Sequence, residues 1–197
     1  MNRSEYANPH HQPNDLTIRF RKAIDLLKNE PSQAKAIIEE LAYERFMPAM
    51  LFVAEALSRG GLYIQDLEKA EGWYNNIIVD GNIVAYRGLG LIQLRSGNYI
   101  DAIRLFEIGA KSGDFSCIRF LARMHRYGEG FDANESKAIC LLQEAANHGD
   151  FWAKRQLSEF YLKGRFGFRG IFKGVALFIS SSTSIMRYIL IHGDTGA

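Results

Sequence analysis

At 197 residues and 47% hydrophobic content the chain is long enough to bury a sizeable core and ordinary for a soluble globular protein, which confines disorder to its ends. Two cysteines, Cys117 and Cys140, exclude a disulfide framework and read as small core residues inside apolar runs. The net charge of +2 conceals an imbalance: residues 151–197 carry seven basic and two acidic side chains, or +5, which leaves −3 for residues 1–150.

The first 13 residues, MNRSEYANPHHQP, are polar and hold no apolar segment of the secretory type, so a disordered leader over 1–13 and a cytoplasmic protein are expected. A first pair of helices is expected over 14–46, with Pro31 in the first turn of its second member, where the missing N–H costs nothing. The chain then repeats itself. Lys69 to Asn82 reads KAEGWYNNIIVDGN, Asp101 to Asp114 reads DAIRLFEIGAKSGD, and Lys137 to Asp150 reads KAICLLQEAANHGD.

The marker alanines Ala34, Ala70, Ala102 and Ala138 are separated by 36, 32 and 36 residues, and a further 36 reaches Gly174. A second column, Ala49, Ala85, Cys117 and Ala153, keeps the same rhythm, as do the pairs Gly81-Asn82, Gly113-Asp114 and Gly149-Asp150. Such a period marks a solenoid, whose units bury their apolar faces only against neighbours. Each unit reads as two helices. In the second helix Ala70, Trp73, Tyr74, Ile77 and Ile78 fall on one face at i, i+3, i+4, i+7 and i+8. Asp66, Asn98 and Asn134 are its expected N-caps, and Gly81, Gly113 and Gly149 its expected stops. In the first helix a large residue stands beside a small one, at Val53-Ala54, Leu89-Gly90, Leu121-Ala122 and Leu157-Ser158, so that two backbones can approach. The turns between helices carry Gly60 and Gly61, Gly128 and Gly130, and Gly164 and Gly167; the second unit uses a turn four residues shorter around Gly97. The register places a last second-type helix near 173–180.

The stretch CIRFLARMHRYGEGFDANESKAICLLQEAANHGD, Cys117 to Asp150, resembles the Sel1-like repeat, a relative of the tetratricopeptide repeat. The resemblance covers about residues 49–178, with a more tetratricopeptide-like pair at 14–46. It implies an all-α, right-handed α-solenoid acting as an adaptor that holds other proteins together, in bacteria often in envelope, polysaccharide or signalling pathways. The expected organisation is therefore a leader at 1–13, a solenoid at 14–178 and a capping or membrane-interacting helix and tail at 179–197.

Enzyme and metal chemistry find no motif. His10 and His11 are the only neighbouring histidines, His125, His148 and His192 are dispersed, and no H-E-x-x-H, paired C-x-x-C, phosphate loop or nucleophile signature is present, so no cofactor or metal is expected and a hydrolase is the rival class. The cysteine pairs of secreted Sel1-like proteins linked to β-lactam binding are missing as well. The charged residues say more. The first-helix column Leu51, Arg87, Arg119, Arg155 would face the concave groove if the fold follows its tetratricopeptide cousins. Around it stand Arg59, Leu91, Arg95, Arg123, Arg126, Tyr127 and Lys163, against Glu55 and Glu159. Arginine forks suit carboxylate or phosphate, which points to an acidic peptide or protein segment, or another anionic polymer, with Arg87, Arg119 and Arg155 as anchors. The alternative is that these arginines pair with carboxylates on adjacent helices. No aromatic row favours nucleic acid. Finally, Ile171 to Ile191 holds only two charges, Lys173 and Arg187, interrupted by Ser180 to Ser184, so residues 165–191 read as a closing helix, a segment lying on a membrane surface, or a span.

Overall fold

The structure, a computed structural model, describes residues 15–163 and 167–192, with side chains to 183. The leader at 1–13, Gly164, Arg165 and the segment after His192 lie outside the described residues. Among the described residues there are ten α-helices and no strand: α1 (Asp15–Leu26), α2 (Pro31–Tyr43), α3 (Met47–Arg59), α4 (Leu67–Val79), α5 (Val84–Arg95), α6 (Tyr99–Lys111), α7 (Phe115–Tyr127), α8 (Glu135–Asn147), α9 (Phe151–Leu162) and α10 (Gly167–His192). First and second helices alternate as the columns require.

The chain forms two compact units, residues 1–85 and 86–197, with α5 beginning at the boundary. In the first unit α2 packs on α1 and α3, and α3 packs on α4. In the second, α6 packs on α7, α7 on α8, α8 on α9 and α9 on α10. Each contact is closed by the small-residue columns. Ala34, Ala70, Ala102 and Ala138 are fully buried, and so are Ala49, Ala85, Cys117 and Ala153. With nothing beyond a methyl or thiol at these positions, large neighbours such as Ile38, Ile77, Phe106 and Leu142 fill the gaps between backbones. At Gly174 even a methyl would be tight, because a Cβ there would lie 3.0 Å from both Tyr161 Cβ and Leu162 Cγ.

The second helices stop where expected. Gly81, Gly113 and Gly149 follow the C-caps with φ of 82°, 97° and 91°. Arg45, at the equivalent place after α2, takes φ 61° without being glycine, and its guanidinium pairs with Asp80. Asp66 and Asn134 cap as expected, accepting from the backbone N–H of Lys69 at 2.9 Å and Lys137 at 2.8 Å. Asn98 does not: its side chain makes no cap bond and its Nδ2 donates to Gln93 Oε1 at 2.8 Å, across the shortened turn. The last helix also differs from its expected extent. Instead of 173–180 it runs from 167 to 192 as one element, passing through the 178–179 division and the serine run. The hydroxyls there turn inward on the helix: Ser181 and Ser182 donate to Phe178 O, and Thr183 to Ser180 O, at 2.8–3.0 Å.

Two glycines separate packing from propensity. A Cβ at Gly90 would lie 2.5 Å from the ring of fully buried Phe106, so Gly90→Leu is expected to cost about 3 kcal/mol or more, the upper range for overpacking. Gly72, exposed within α4 and touching nothing within 4 Å, should gain about 0.5–1 kcal/mol on change to alanine. Urea unfolding of both variants checks the pair.

Candidate functional site

The groove arginines fall into distinct environments. Arg87 of α5 reaches the N-terminus of α7, where its Nη1 donates to Asp114 Oδ1 and Oδ2 at 3.0 and 2.8 Å. Arg119 of α7 reaches the N-terminus of α9 in the same way, with Nε donating to Asp150 Oδ2 at 3.3 Å. Both aspartates are also N-caps. Asp114 Oδ1 accepts from Ser116 N, and Asp150 Oδ1 accepts from Trp152 N and Ala153 N. Each carboxylate thus terminates one helix and holds the first helix of the preceding pair, with its side chain no more than 10% exposed. In the first unit the corresponding cap is Asn82, which accepts from Val84 N, and the corresponding column residue is Leu51. A neutral cap goes with an apolar column residue, and a charged cap with arginine.

The other expected groove residues lie elsewhere. Arg59 pairs with Glu55 at 2.7 Å in the first unit. Leu91 packs against the cluster of Leu94, Ala102 and Phe106, and Arg95 is exposed in the last turn of α5. Arg155 is exposed on α9, its guanidinium 5.9 Å from the Phe178 ring centroid, and Lys163 is exposed at the C-cap of the same helix.

Arg123, Arg126 and Tyr127 are brought together. On the last turns of α7 they line a cleft of about 280 Å³ closed by Gln156, Glu159 and Phe160 of α9, with Ala122 and Leu142 also lining it. Arg123 is held by Glu129 at 2.9 Å. Arg126 lies over the face of buried Phe160, 4.4 Å from the ring centroid, and 5.4 Å from that of exposed Tyr127. No carboxylate among the described residues pairs with Arg126. The cleft has room for one or two side chains rather than a cofactor. Phe160 and Gln156 escaped the sequence reading because they sit in columns occupied by ordinary helix residues elsewhere in the chain.

Of the remaining reactive groups Cys117 and His125 serve packing, whereas Cys140, expected as a small core residue, is exposed on α8. Burial, with the nearby Asp114 charge, pushes the Cys117 thiol up to about 12, which keeps it protonated and inert in the alanine column. His125 stacks on Phe131 with centroids 4.0 Å apart; burial, then Lys137, lowers its pKa. No group of three or more potential metal ligands occurs among the described residues.

A repeat model confirms the period independently: the Sel1 repeat matches residues 48–75, 83–114 and 116–150. Among solved structures, the chain is similar to a Sel1 repeat protein from Oxalobacter formigenes, with a TM-score of 0.68 and 17% identity over 93% of this chain and 81% of that one. It is also similar to a protective antigen present in uropathogenic Escherichia coli strains displaying an SLR fold, with a TM-score of 0.64 and 19% identity over 86% of this chain. The chain spans 38% of that antigen's length. At these identities the likeness establishes the fold, an all-α solenoid of helix-turn-helix repeats. No curated protein matches the sequence.

The arginine–aspartate link makes two predictions. Arg119→Leu should lose about 1–2 kcal/mol by leaving the Asp150 carboxylate without its partner, and adding Asp150→Asn, which recreates the Leu51 and Asn82 combination, should restore most of it. Chemical unfolding of the double-mutant cycle reads this coupling. For His125, the folded pKa lies below the unfolded value of 6.5, so the stability of its neutral form is full above that pH and declines as pH falls. His125→Phe should flatten the decline in the urea midpoint as the pH falls below 6.5.

Proposed function

This chain is a Sel1-repeat protein, and from that premise we propose that it is a non-enzymatic adaptor whose α7–α9 cleft takes an acidic side chain of a protein partner. Sel1 repeats generally serve as scaffolds for protein–protein interaction, so the family supplies the class of function and the charged residues supply the partner's chemistry. The observation that carries the reading is Arg126: a guanidinium fixed over an aromatic ring, at the mouth of a cleft, without a carboxylate of its own. A planar fork already ordered by stacking loses little freedom when it binds a carboxylate in two-point fashion. Arg155 and Lys163 extend the positive surface along α9, with Glu159 as the acidic counterweight that orients a partner rather than repelling it along the whole face. Arg87 and Arg119 contribute to this reading by holding the first helices in register through Asp114 and Asp150, not as anchors for the partner. Cys140, an exposed free thiol, and the unbonded Cys117 suit the reducing cytoplasm.

A labelled glutamate-rich peptide tests the chemistry. It should bind the parent with an affinity that falls as salt rises, and Arg126→Ala should weaken binding by about 1–3 kcal/mol. Arg126→Lys should recover only part of this, because an ammonium cannot reproduce the fork. Binding that survives Arg126→Ala and Arg155→Ala combined removes the proposal. Binding that falls with Arg119→Gln at unchanged stability would return the role of anchor to the arginine column.

A further inference from the structure

We propose that α10 is a lipid-docking helix that lies flat on an anionic membrane surface through Phe168, Phe172, Val175 and Ile179. At 3.6 residues per turn these four fall within about 60° of one another on the helix. Their exposures are 81%, 72%, 43% and 57%. The opposite face, with Gly170, Gly174, Leu177 and Ser181, is seated on α9, so the body of the unit and the apolar stripe point in opposite directions. Arg169 and Lys173 stand on one flank, about 90° and 130° from the stripe's centre, where basic side chains of a helix lying in an interface meet lipid headgroups. Lys173 Nζ donates to Tyr161 Oη at 3.0 Å, and no acid among the described residues pairs with it. Between Glu159 and Asp194 the sequence has five Lys and Arg and no Asp or Glu.

The repeat register separates this surface from the ordinary face awaiting a further repeat. Val175 and the neighbouring Phe178 occupy the places of Ile139 and Leu142 in α8, which pack inside the core of that unit. Another repeat could cover those two. Ile179, however, stands where α8 has Gln143, α6 has Glu107 and α4 has Asn75; Phe172 stands where α8 has Ser136 and α4 has Glu68, with Ile100 of α6 the one apolar counterpart. Apolar residues therefore extend onto a side of the helix that is largely polar in the other repeats. Basic charge bordering that extension selects an anionic lipid surface over an apolar protein face. The mode is surface attachment, since the opposite face of the helix is packed on α9 and only the stripe faces outward.

Co-sedimentation of the full chain with vesicles tests this, using phosphatidylcholine alone and phosphatidylcholine with about a third phosphatidylglycerol. The parent should bind the anionic vesicles, weaken as salt rises, and bind neutral vesicles far less; Phe172→Glu with Ile179→Glu should lower binding at least about tenfold. Phe168→Ser, at a side chain too exposed to support the fold, should weaken binding in the same direction, and circular dichroism establishes that each variant is folded. Failure of the parent to bind, equal binding to both vesicles, or retention by the folded double variant overturns the proposal. So does a lipid-free parent that is dimeric by light scattering while the double variant is monomeric, because the stripe would then be covered by a second copy of this chain.

Discussion

The distance between neighbouring helices is the constraint on which the rest of the molecule depends. It is set by side chains that are nearly absent: alanines at 34, 70, 102 and 138, and at 49, 85 and 153, all fully buried. Where the contact closes further, glycine replaces alanine, as at Gly90 against Phe106 and Gly174 against Tyr161 and Leu162. In a repeat fold each helix pair gains its stability from the pairs beside it. A change of one or two methylenes in these columns is therefore felt by the neighbouring pair as a displacement of an entire helix, rather than as a local void or bump. Cys117 shows how narrow the tolerance is, since its Sγ would lie only 2.6 Å from a Cβ at Gly109.

Helix termini are the second device. Asp114 and Asp150 end the connection after one repeat, begin the first helix of the next, and receive an arginine from the first helix of the pair before. Three tasks converge on one carboxylate, and its low exposure strengthens the bonds it makes. This arrangement ties Arg87 and Arg119 to carboxylates of the fold and sets them apart from Arg126, Arg155 and Lys163. The cleft between α7 and α9 and the outer face of α10 are consequently different kinds of surface. One offers a guanidinium on an aromatic platform, the other a row of apolar side chains bordered by basic ones.

The columns were legible because burial at a fixed period writes the same residue type at the same place several times. The glycine stops, the Asp66 and Asn134 caps and the large-small pairs followed from the same regularity. Asn98 misled because it occupies the cap column while the shortened turn gives its side chain a nearer partner in Gln93. The double duty of Asp114 and Asp150 was hidden for another reason. They stand in a visible Gly-Asx column, but an ion pair 27 or 31 residues away leaves no local pattern, and the choice between a groove anchor and a strut needs the direction of each guanidinium. Arg126 likewise became distinct from Arg123 only through its contacts, one arginine stacked on Phe160 and the other paired with Glu129. The length of α10 was obscured by the serine run, whose hydroxyls satisfy themselves on the helix backbone instead of breaking it.

The central claim is that stability passes between neighbouring helix pairs through the small-residue columns. Native-state hydrogen exchange of Ala153→Leu addresses it most directly, because the added side chain enters the fully buried contact around α9. The account predicts that amide protection falls in α8, α9 and α10 while α1 to α3 keep the protection of the parent. Protection lost uniformly along the chain, or unchanged in α8 to α10, would contradict it.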